Sequence, residues 1–180
     1  MTIRRLTTRE VYRNPWMTVR EDEVERSNGS RGIYGVVEKF DSAIIIPIER
    51  EYVYLVEQFR YPIGQMSLEF PQGSWEQNGI EPREIARGEL KEETGIVAAQ
   101  LEYLGEIVIA IGYSNQKTHA FVATGLTQGA SAPDPEEHDI VLRRYSFSDF
   151  EELLRRNQIK DAQTLAAWAL YQARKDQCQK

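Results

Sequence analysis

The sequence predicts a mixed β-sheet flanked by helices, an α+β or α/β sandwich. Three observations lead to this fold class. Runs rich in β-branched and aromatic residues dominate the first half of the chain, one helical segment interrupts the strands, and two helices close the chain. With 180 residues, of which 41% are hydrophobic and 28% charged, the chain has the composition of one ordinary globular domain.

Strand signals follow one another from residue 16 onward. A Ser27-Asn28-Gly29 turn separates the first two strands, and Glu49-Arg50-Glu51 is a hairpin connection between the next two. Later strands flank a predicted loop at 125–138, through which Gly129, Pro133 and Pro135 are spread. The predicted strands are 16–24, 33–40, 43–48, 52–59, 100–109, 119–124 and 140–145.

The middle helix has clear boundaries. Pro82 is suited to the first helical position, and Gly95 can adopt the left-handed conformation that ends helices. Near the end of the chain, Ser148-Asp-Phe-Glu151 forms a capping box that leads into a helix at 151–156. Asp161 is predicted to cap the last helix.

Three glutamates share one face of the middle helix. Glu89, Glu92 and Glu93 stand at i, i+3 and i+4, where like charges repel by about 0.2–0.5 kcal/mol per pair. A solvated acidic face is one reading of this cluster. The other is a site for a hard divalent cation, because magnesium prefers oxygen ligands and shares them with substrate phosphates.

Charge and cysteine content limit the function classes. A net charge of −6 argues against general binding to nucleic acid backbones, whereas a bound cation would still allow small anionic substrates. The chain has no apolar run of about 18 residues that could span a bilayer. Its polar first residues are unlike a signal peptide, and Cys178 is the single cysteine. We therefore expect a cytoplasmic location.

The stretch from Gly73 to Ile96 resembles the Nudix box, the signature of hydrolases that cleave nucleoside diphosphates linked to another moiety. The second half of the box is matched by Glu89-Leu-Lys-Glu-Glu-Thr-Gly-Ile96. The resemblance implies a Nudix-type mixed sheet sandwiched between helices. It also implies Mg²⁺, with Mn²⁺ possible, held by Glu89, Glu92 and Glu93.

Two features depart from the family pattern. Gly88 occupies the position of the family arginine, which holds a catalytic glutamate in place, and Arg87 stands one place earlier. The first half of the box is one residue longer, so the family glutamate falls on Gly79 or Ile80 depending on the end from which one counts. One hypothesis is that Arg87 or a neighbouring loop takes over the positioning role.

Residues before the box are similar to the branch that acts on adenosine diphosphate ribose and related nucleotide sugars. In Leu68-Glu-Phe-Pro-Gln-Gly73, Gln72 replaces the branch alanine, whose backbone carbonyl often binds a metal. The resemblance implies that Glu69 faces the substrate and that Arg60 contacts it, since a guanidinium donates paired hydrogen bonds to a diphosphate. The alternatives are an exposed strand glutamate and a surface arginine.

Two aromatic residues fall where related enzymes stack a ring on the base, often across a dimer interface. They are Trp16 and Tyr34, and ordinary packing in the core or on the sheet surface is the alternative. On a late loop, Glu137 aligns with a branch glutamate that orients or deprotonates water. The alternative for Glu137 is a solvated acidic loop.

Taken together, the resemblance implies a magnesium-dependent pyrophosphatase for nucleotide sugars, with Glu92 or Glu137 as the base. It further implies a homodimer, in which residues 1–40 form an N-terminal strand region for dimerisation and residues 41–180 form the Nudix hydrolase domain. Ile111 replaces a branch proline, which leaves a guanosine diphosphate sugar open as the substrate. The rival functions are a nucleotide-sugar sensor of the same fold and an interaction domain with a merely solvated acidic helix.

Overall fold

The structure is a computed structural model that describes residues 3–75, 77, 79–129 and 139–178. These residues form two sheets and three helices. The N-terminal sheet consists of β1 (Arg4–Arg13), β2 (Thr18–Glu25) and β3 (Arg31–Glu38). The strands of the main sheet are β4 (Ser42–Glu49), β5 (Tyr52–Arg60), β6 (Gln65–Glu69), β7 (Gln72–Gly73), β8 (Ile96–Val108), β9 (Lys117–Gln128) and β10 (Val141–Ser146). The helices are α1 (Pro82–Thr94), α2 (Phe147–Arg155) and α3 (Ala162–Cys178).

The main sheet is mixed, with the order β10-β5-β4-β9-β8. β4 and β9 run parallel at its centre, while the other neighbouring pairs run antiparallel. Helices cover both faces, so the helix-flanked mixed sheet predicted from the sequence is confirmed.

Alternate residues of β4 point to opposite faces of this sheet, as the period of a strand requires. Ile44 and Ile46 belong to the core that contains Phe150 of α2 and Trp168 of α3. Ala43 and Ile45, which contribute to the other core beneath α1, are equally buried. A strand buried on both faces explains the continuous apolar run in the sequence.

β4 and β5 separate soon after their hairpin, and the segment 65–73 fills the opening. The two strands pair at Ile48–Val53 and Glu49–Tyr52 only. Beyond that point β5 pairs with β6, and β4 pairs with the two-residue strand β7. Glu69, Gln72 and Gly73 are thereby placed in the middle of the sheet rather than at its edge.

The N-terminal sheet is unevenly exposed, since β1 is largely exposed while Asp22 and Val24 of β2 are buried. Nine of the ten residues of β1 are exposed, and Leu6 is half-buried. β3 is joined to the main body near its end, where the Val37 amide donates to the Tyr113 carbonyl at 2.7 Å. None of the helices within the described residues combines the length and apolar character needed to cross a membrane.

Several elements differ from the sequence predictions, among them β6 and β7, which were not predicted, and β8, which begins at Ile96 rather than at residue 100. β1 was not predicted, because a strand exposed on both sides shows no apolar alternation. The cap of α2 is Ser146 rather than Ser148, since the Ser146 hydroxyl accepts from the Asp149 amide at 3.1 Å. β9 continues to Gln128 through Gly125, which has a φ of 64°, whereas the sequence predicted a loop from residue 125 onward. Residues 130–138 of the predicted loop lie outside the described residues.

Candidate active site

Two of the three clustered glutamates are buried. α1 begins at Pro82 and is followed by Gly95 with a φ of 72°, as predicted. Glu89 and Glu93 are only 7% and 4% exposed, whereas Glu92 is half-buried. The solvated acidic face is therefore the wrong reading, because a solvated cluster would leave these carboxylates in water.

The buried glutamates lie against β7. The Glu93 carboxylate accepts a hydrogen bond from the Gln72 backbone amide at 3.1 Å. The Glu89 carboxylate lies over Gly73, where a Cβ would overlap its Oε2 and stand 2.6 Å from its Oε1. A glycine is needed here because the backbone and the carboxylate approach each other closely.

A cavity of about 630 Å³ opens beside this helix face. It brings together six of the residues that the sequence analysis singled out, from β-strands, a loop and α1. They are Trp16, Arg60, Glu69, Gln72, Glu89 and Glu92. Residues far apart in the chain thus meet in one place, as a binding site requires.

Arg60 and Glu69 form an ion pair in the wall of the cavity. Arg60 donates from Nε to Glu69 Oε1 at 3.0 Å and from Nη2 to Oε2 at 2.6 Å. Glu69 is 3% exposed, so an exposed strand glutamate is excluded. Burial by itself would raise the pKa of Glu69, but hydrogen bonds and charge from Arg60, aided by Ser67 and Gln72, hold that pKa below its ordinary value.

The same pairing acts on Arg60. Burial would lower the pKa of Arg60, but its hydrogen bonds and attraction to Glu69, together with the charges of Glu93 and Asp161, raise it. The guanidinium therefore stays charged and lies within a predominantly acidic site. Its side chain is 37% exposed, so it is neither an isolated surface arginine nor a fully buried one.

The Gln72 side chain joins the sheet to α3. Its Nε2 donates to Glu69 Oε2 at 2.8 Å and to Asp161 Oδ2 at 3.1 Å. Because both partners are carboxylates, the amide nitrogen must face them. The sequence analysis considered only the backbone of Gln72, whereas the structure gives its side chain two charge-assisted hydrogen bonds.

Asp161 and Thr164 fasten the first turn of α3 to the segment that fills the sheet. Asp161 accepts from the Thr164 amide at 2.8 Å, which confirms the predicted cap of α3. Thr164, fully buried, accepts from the Phe70 amide at 3.0 Å. The sequence analysis identified Asp161 only as a cap, because a capping signal does not reveal which cavity the cap will face.

Two aromatic residues have different positions. Trp16 is 50% exposed and lines the cavity, so it is not a core residue. Tyr34 is 40% exposed on β3, opposite Asp22 of β2, and is not among the described residues that line this cavity. Glu137, predicted as a base, lies outside the described residues.

The side chains at this site are of the type that binds a hard divalent cation. Carboxylate oxygens of Glu89, Glu92 and Glu93 are the donors that such an ion prefers, and Gly73 provides the space that holds one of them in place. Within the described ranges, however, no three or more histidine, cysteine, aspartate or glutamate side chains are already gathered around a common point.

Comparisons with known proteins agree with this architecture. The family model for the nucleoside diphosphate sugar hydrolase N-terminal domain matches residues 3–37, and the model for the NUDIX domain matches residues 39–168. A solved structure titled as an ADP compounds hydrolase superposes with a TM-score of 0.85 and 26% identity, covering 98% of this chain and 96% of that one.

Two curated proteins are similar over most of their lengths. The methanol dehydrogenase activator of Bacillus methanolicus is 28% identical over 164 residues, which are 90% of this chain and 88% of the relative. The ADP-ribose pyrophosphatase of Mycobacterium tuberculosis is 27% identical over 150 residues, 82% of this chain and 72% of the relative. As predicted from its sequence, the chain is a hydrolase that belongs to the Nudix family, and it is similar to the branch that contains an ADP-ribose pyrophosphatase and an ADP compounds hydrolase.

Proposed function

We propose that this chain hydrolyses the diphosphate bond of a nucleotide sugar, ADP-ribose or a similar compound, to a nucleoside monophosphate and a sugar phosphate. The observation that carries the proposal is the cavity that Glu89 and Glu92 of the box line together with Arg60 and Trp16. Its volume of about 630 Å³ suits a ligand of this size. The names of the similar proteins, an ADP-ribose pyrophosphatase and an ADP compounds hydrolase, support the choice of substrate class.

Substrate binding is assigned to four residues. Arg60 uses Nε and Nη2 for Glu69, which leaves Nη1 outside the pair as a donor for a phosphate or ribose oxygen. Glu69 holds the guanidinium in its orientation and contributes an acceptor at the cavity wall. Trp16 offers a half-exposed indole on which a base can stack, and Tyr34 is proposed to do so across a dimer interface.

Metal binding is assigned to Glu89, Glu92 and Glu93, together with the backbone carbonyl of Gln72. Mg²⁺ is the proposed ion, and Mn²⁺ has the same preference for oxygen ligands. When bound, the cation supplies neutralisation of the diphosphate charge and activation of water. The chain itself contributes the arrangement of carboxylates, which the contacts of Glu89 with Gly73 and of Glu93 with Gln72 support.

In the proposed reaction, a water oxygen attacks one phosphorus of the diphosphate and the bridging phosphorus–oxygen bond breaks. The proton of the water passes to Glu92 or to Glu137, which is the base in this scheme. The leaving phosphate departs with the electron pair of the broken bond. Arg60 offsets the negative charge that gathers on the phosphates during this step.

The N-terminal region is proposed to dimerise the protein. Residues 1–40 are the dimerisation segment and residues 41–180 the hydrolase domain. Val11, Tyr12 and Ile33 are apolar residues of this sheet that are exposed by 53% to 66%, and a second copy would cover them. Light scattering at micromolar concentration should give the mass of two chains, and a single-chain mass would remove this part of the proposal.

The first test is phosphate release from a panel of nucleotide sugars in Mg²⁺, coupled to a phosphatase that acts only on the products. ADP-ribose and GDP-mannose represent the two nucleotide classes. Turnover of one of them that disappears with a chelator would support the proposal and identify the nucleobase of the preferred substrate. No turnover of any substrate, in a protein that still gains thermal stability from Mg²⁺, would favour a sensor instead.

A further inference from the structure

An unusual glycine lies in the middle of α1. A glycine at a helix interior costs about 1 kcal/mol relative to alanine, so it needs a compensating role. In this structure Gly88 provides the space for the indole of Trp75. A Cβ at position 88 would overlap Cζ2 of Trp75 and lie 2.9 Å from Cη2 and 3.1 Å from Cε2.

Arg87 does not take the place of the family arginine. Its Nη1 lies 3.8 Å from Oε1 of Glu84, one turn earlier on the same helix, and both side chains are more than half exposed. The guanidinium is therefore on the outer surface of α1. Of the two hypotheses raised by the sequence, the neighbouring loop is the one that the contacts favour.

The loop residue Trp75 reaches two parts of the molecule at once. It packs against the core beneath α1, which contains Ile85 and Leu90, and it also lines the cavity. Gly88 immediately precedes Glu89 and is one turn before Glu92. The indole thus lies on the helix turn from which both cavity-facing carboxylates project.

We propose that Trp75 is a positioning residue, whose indole packs on Gly88 in place of the family arginine and thereby holds Glu89 and Glu92 in the orientation that metal binding needs. The inference rests on the proposed function, because those carboxylates matter only if they bind the cation. An arginine restrains a carboxylate through charge and hydrogen bonds, whereas an indole does so by filling space. Gly88 and Trp75 are therefore expected to act as a pair.

The experiment compares four variants with the wild-type protein: Trp75→Ala, Trp75→Phe, Gly88→Ala and the double variant Trp75→Ala/Gly88→Arg. Arg87→Ala is the matched control, since it alters the neighbouring residue on the exposed side of the helix. Two quantities are measured for each. One is the Mg²⁺ concentration that gives half of the maximal rise in melting temperature, and the other is kcat and KM for the best substrate.

Trp75→Ala and Gly88→Ala should each raise the half-maximal Mg²⁺ concentration and lower kcat by about 10–100-fold, the usual effect of losing a group that orients a metal ligand. KM should change little. Trp75→Phe should retain most of the wild-type behaviour because it keeps a ring on Gly88. The double variant should recover part of the lost Mg²⁺ affinity and kcat, because the new arginine side chain can occupy the space that the indole leaves.

The proposal is overturned if Trp75→Ala matches Arg87→Ala in both quantities, or if Gly88→Ala behaves as wild type, since a Cβ and the indole cannot share that space. A lower melting temperature with unchanged Mg²⁺ dependence and kcat would also overturn the proposal, because the indole would then only stabilise the fold through packing. If the wild-type protein binds Mg²⁺ without turnover, hydrolysis is refuted and the Mg²⁺ dependence still decides the role of Trp75. If the wild-type protein shows no response to Mg²⁺, both proposals fail.

Discussion

One ion pair in the cavity and one that joins β1 to β2 in the N-terminal sheet use the same residue types in opposite surroundings. In the cavity Arg60 and Glu69 lie 2.6 Å apart, and the Glu69 side chain is 4% exposed. In the N-terminal sheet Arg9 and Glu21 lie 2.9 Å apart, but their side chains are 72% and 38% exposed. The distances are similar and the solvation is not.

This difference decides what each charge can do. A solvated pair gains little from its contact because water already satisfies both partners, and it contributes about 0–1 kcal/mol. A buried carboxylate depends on its protein partners, so removal of one partner leaves an uncompensated charge. The cavity is therefore the region where single substitutions should be costly, and the exposed strand β1 is the region where they should be tolerated. Arg20 and Asp22 of β2 form a more buried pair in the same sheet and do not belong to this tolerant region.

The largest effect is expected from Glu93→Gln. The change removes a charge from the buried side of α1, so turnover should fall by at least about 100-fold, or ~2.7 kcal/mol of barrier. Glu84→Gln is the control, because Glu84 is on the exposed side of the same helix. Turnover within tenfold of wild type in Glu93→Gln would contradict metal binding through this cluster.

Arg60→Ala should destabilise the fold as well as reduce turnover. It leaves the Glu69 carboxylate buried without its cation, at a cost of about 2–3 kcal/mol, which is below the range for a fully buried pair because Arg60 is partly exposed. Chemical denaturation measures the change. Arg143→Ala, which breaks the more exposed pair with Glu57, should cost less than about 1 kcal/mol. Equal losses of unfolding free energy in the two variants would contradict the expected difference between the buried and the more exposed ion pair.

Gly73→Ala should separate activity from stability. The added Cβ would displace the Glu89 carboxylate, which is the far end of a flexible side chain, so the fold can adjust while the carboxylate moves. We expect turnover to fall by about 10–100-fold with little change in melting temperature. Gly112→Ala is the control, since a Cβ there meets nothing within 4 Å. Wild-type turnover in Gly73→Ala would show that the position of Glu89 is unimportant.

The stability that Glu69 provides should be lost in acid. Its pKa in the folded protein is held below the ordinary value of 4.5, because the partners of the ionised form outweigh burial. The contribution is then complete above about pH 4.5 and disappears as the pH falls through the folded-state pKa. The difference in unfolding free energy between wild type and Glu69→Gln should be constant from pH 7 to 5 and shrink below that. A difference that widens in acid would contradict the lowered pKa of Glu69 in the folded protein.

The smallest effect is expected from Arg9→Ala. Arg9 is solvated on the exposed strand β1, so the free energy of unfolding should change by less than about 0.5 kcal/mol. Turnover should be unchanged. A loss above 1 kcal/mol would show that the N-terminal sheet depends on its ion pairs, and the comparison between the two regions would no longer hold.

Local signals allowed several elements to be predicted. Pro82 and Gly95 define the ends of α1 through the geometry of helix termini, which depends on only a few neighbouring residues. The apolar run of β4 identified a strand with two buried faces. β1 escaped prediction because its residues face solvent, and Ser148 was chosen as a cap where Ser146 is used.

The candidate site was only partly predictable. Glu89 and Glu92 were singled out from their spacing on the helix and Arg60 from the family resemblance, and these three residues line one cavity. The contacts of Trp75 and of the Gln72 side chain were not predicted, since the family pattern does not indicate which distant residues these side chains touch. Their contacts, with Gly88 in one case and with Glu69 and Asp161 in the other, join segments between 3 and 89 residues apart.

The sequence by itself determined the family, the fold class and the position of the acidic helix, because these depend on residue order and short-range periodicity. Only the tertiary structure decided which carboxylates are buried, that Arg60 binds Glu69, and that a tryptophan lies on Gly88. The physical reason is that burial and pairing depend on which distant segments pack together. In this chain that packing follows from the separation of β4 and β5, which admits the segment 65–73 to the centre of the sheet.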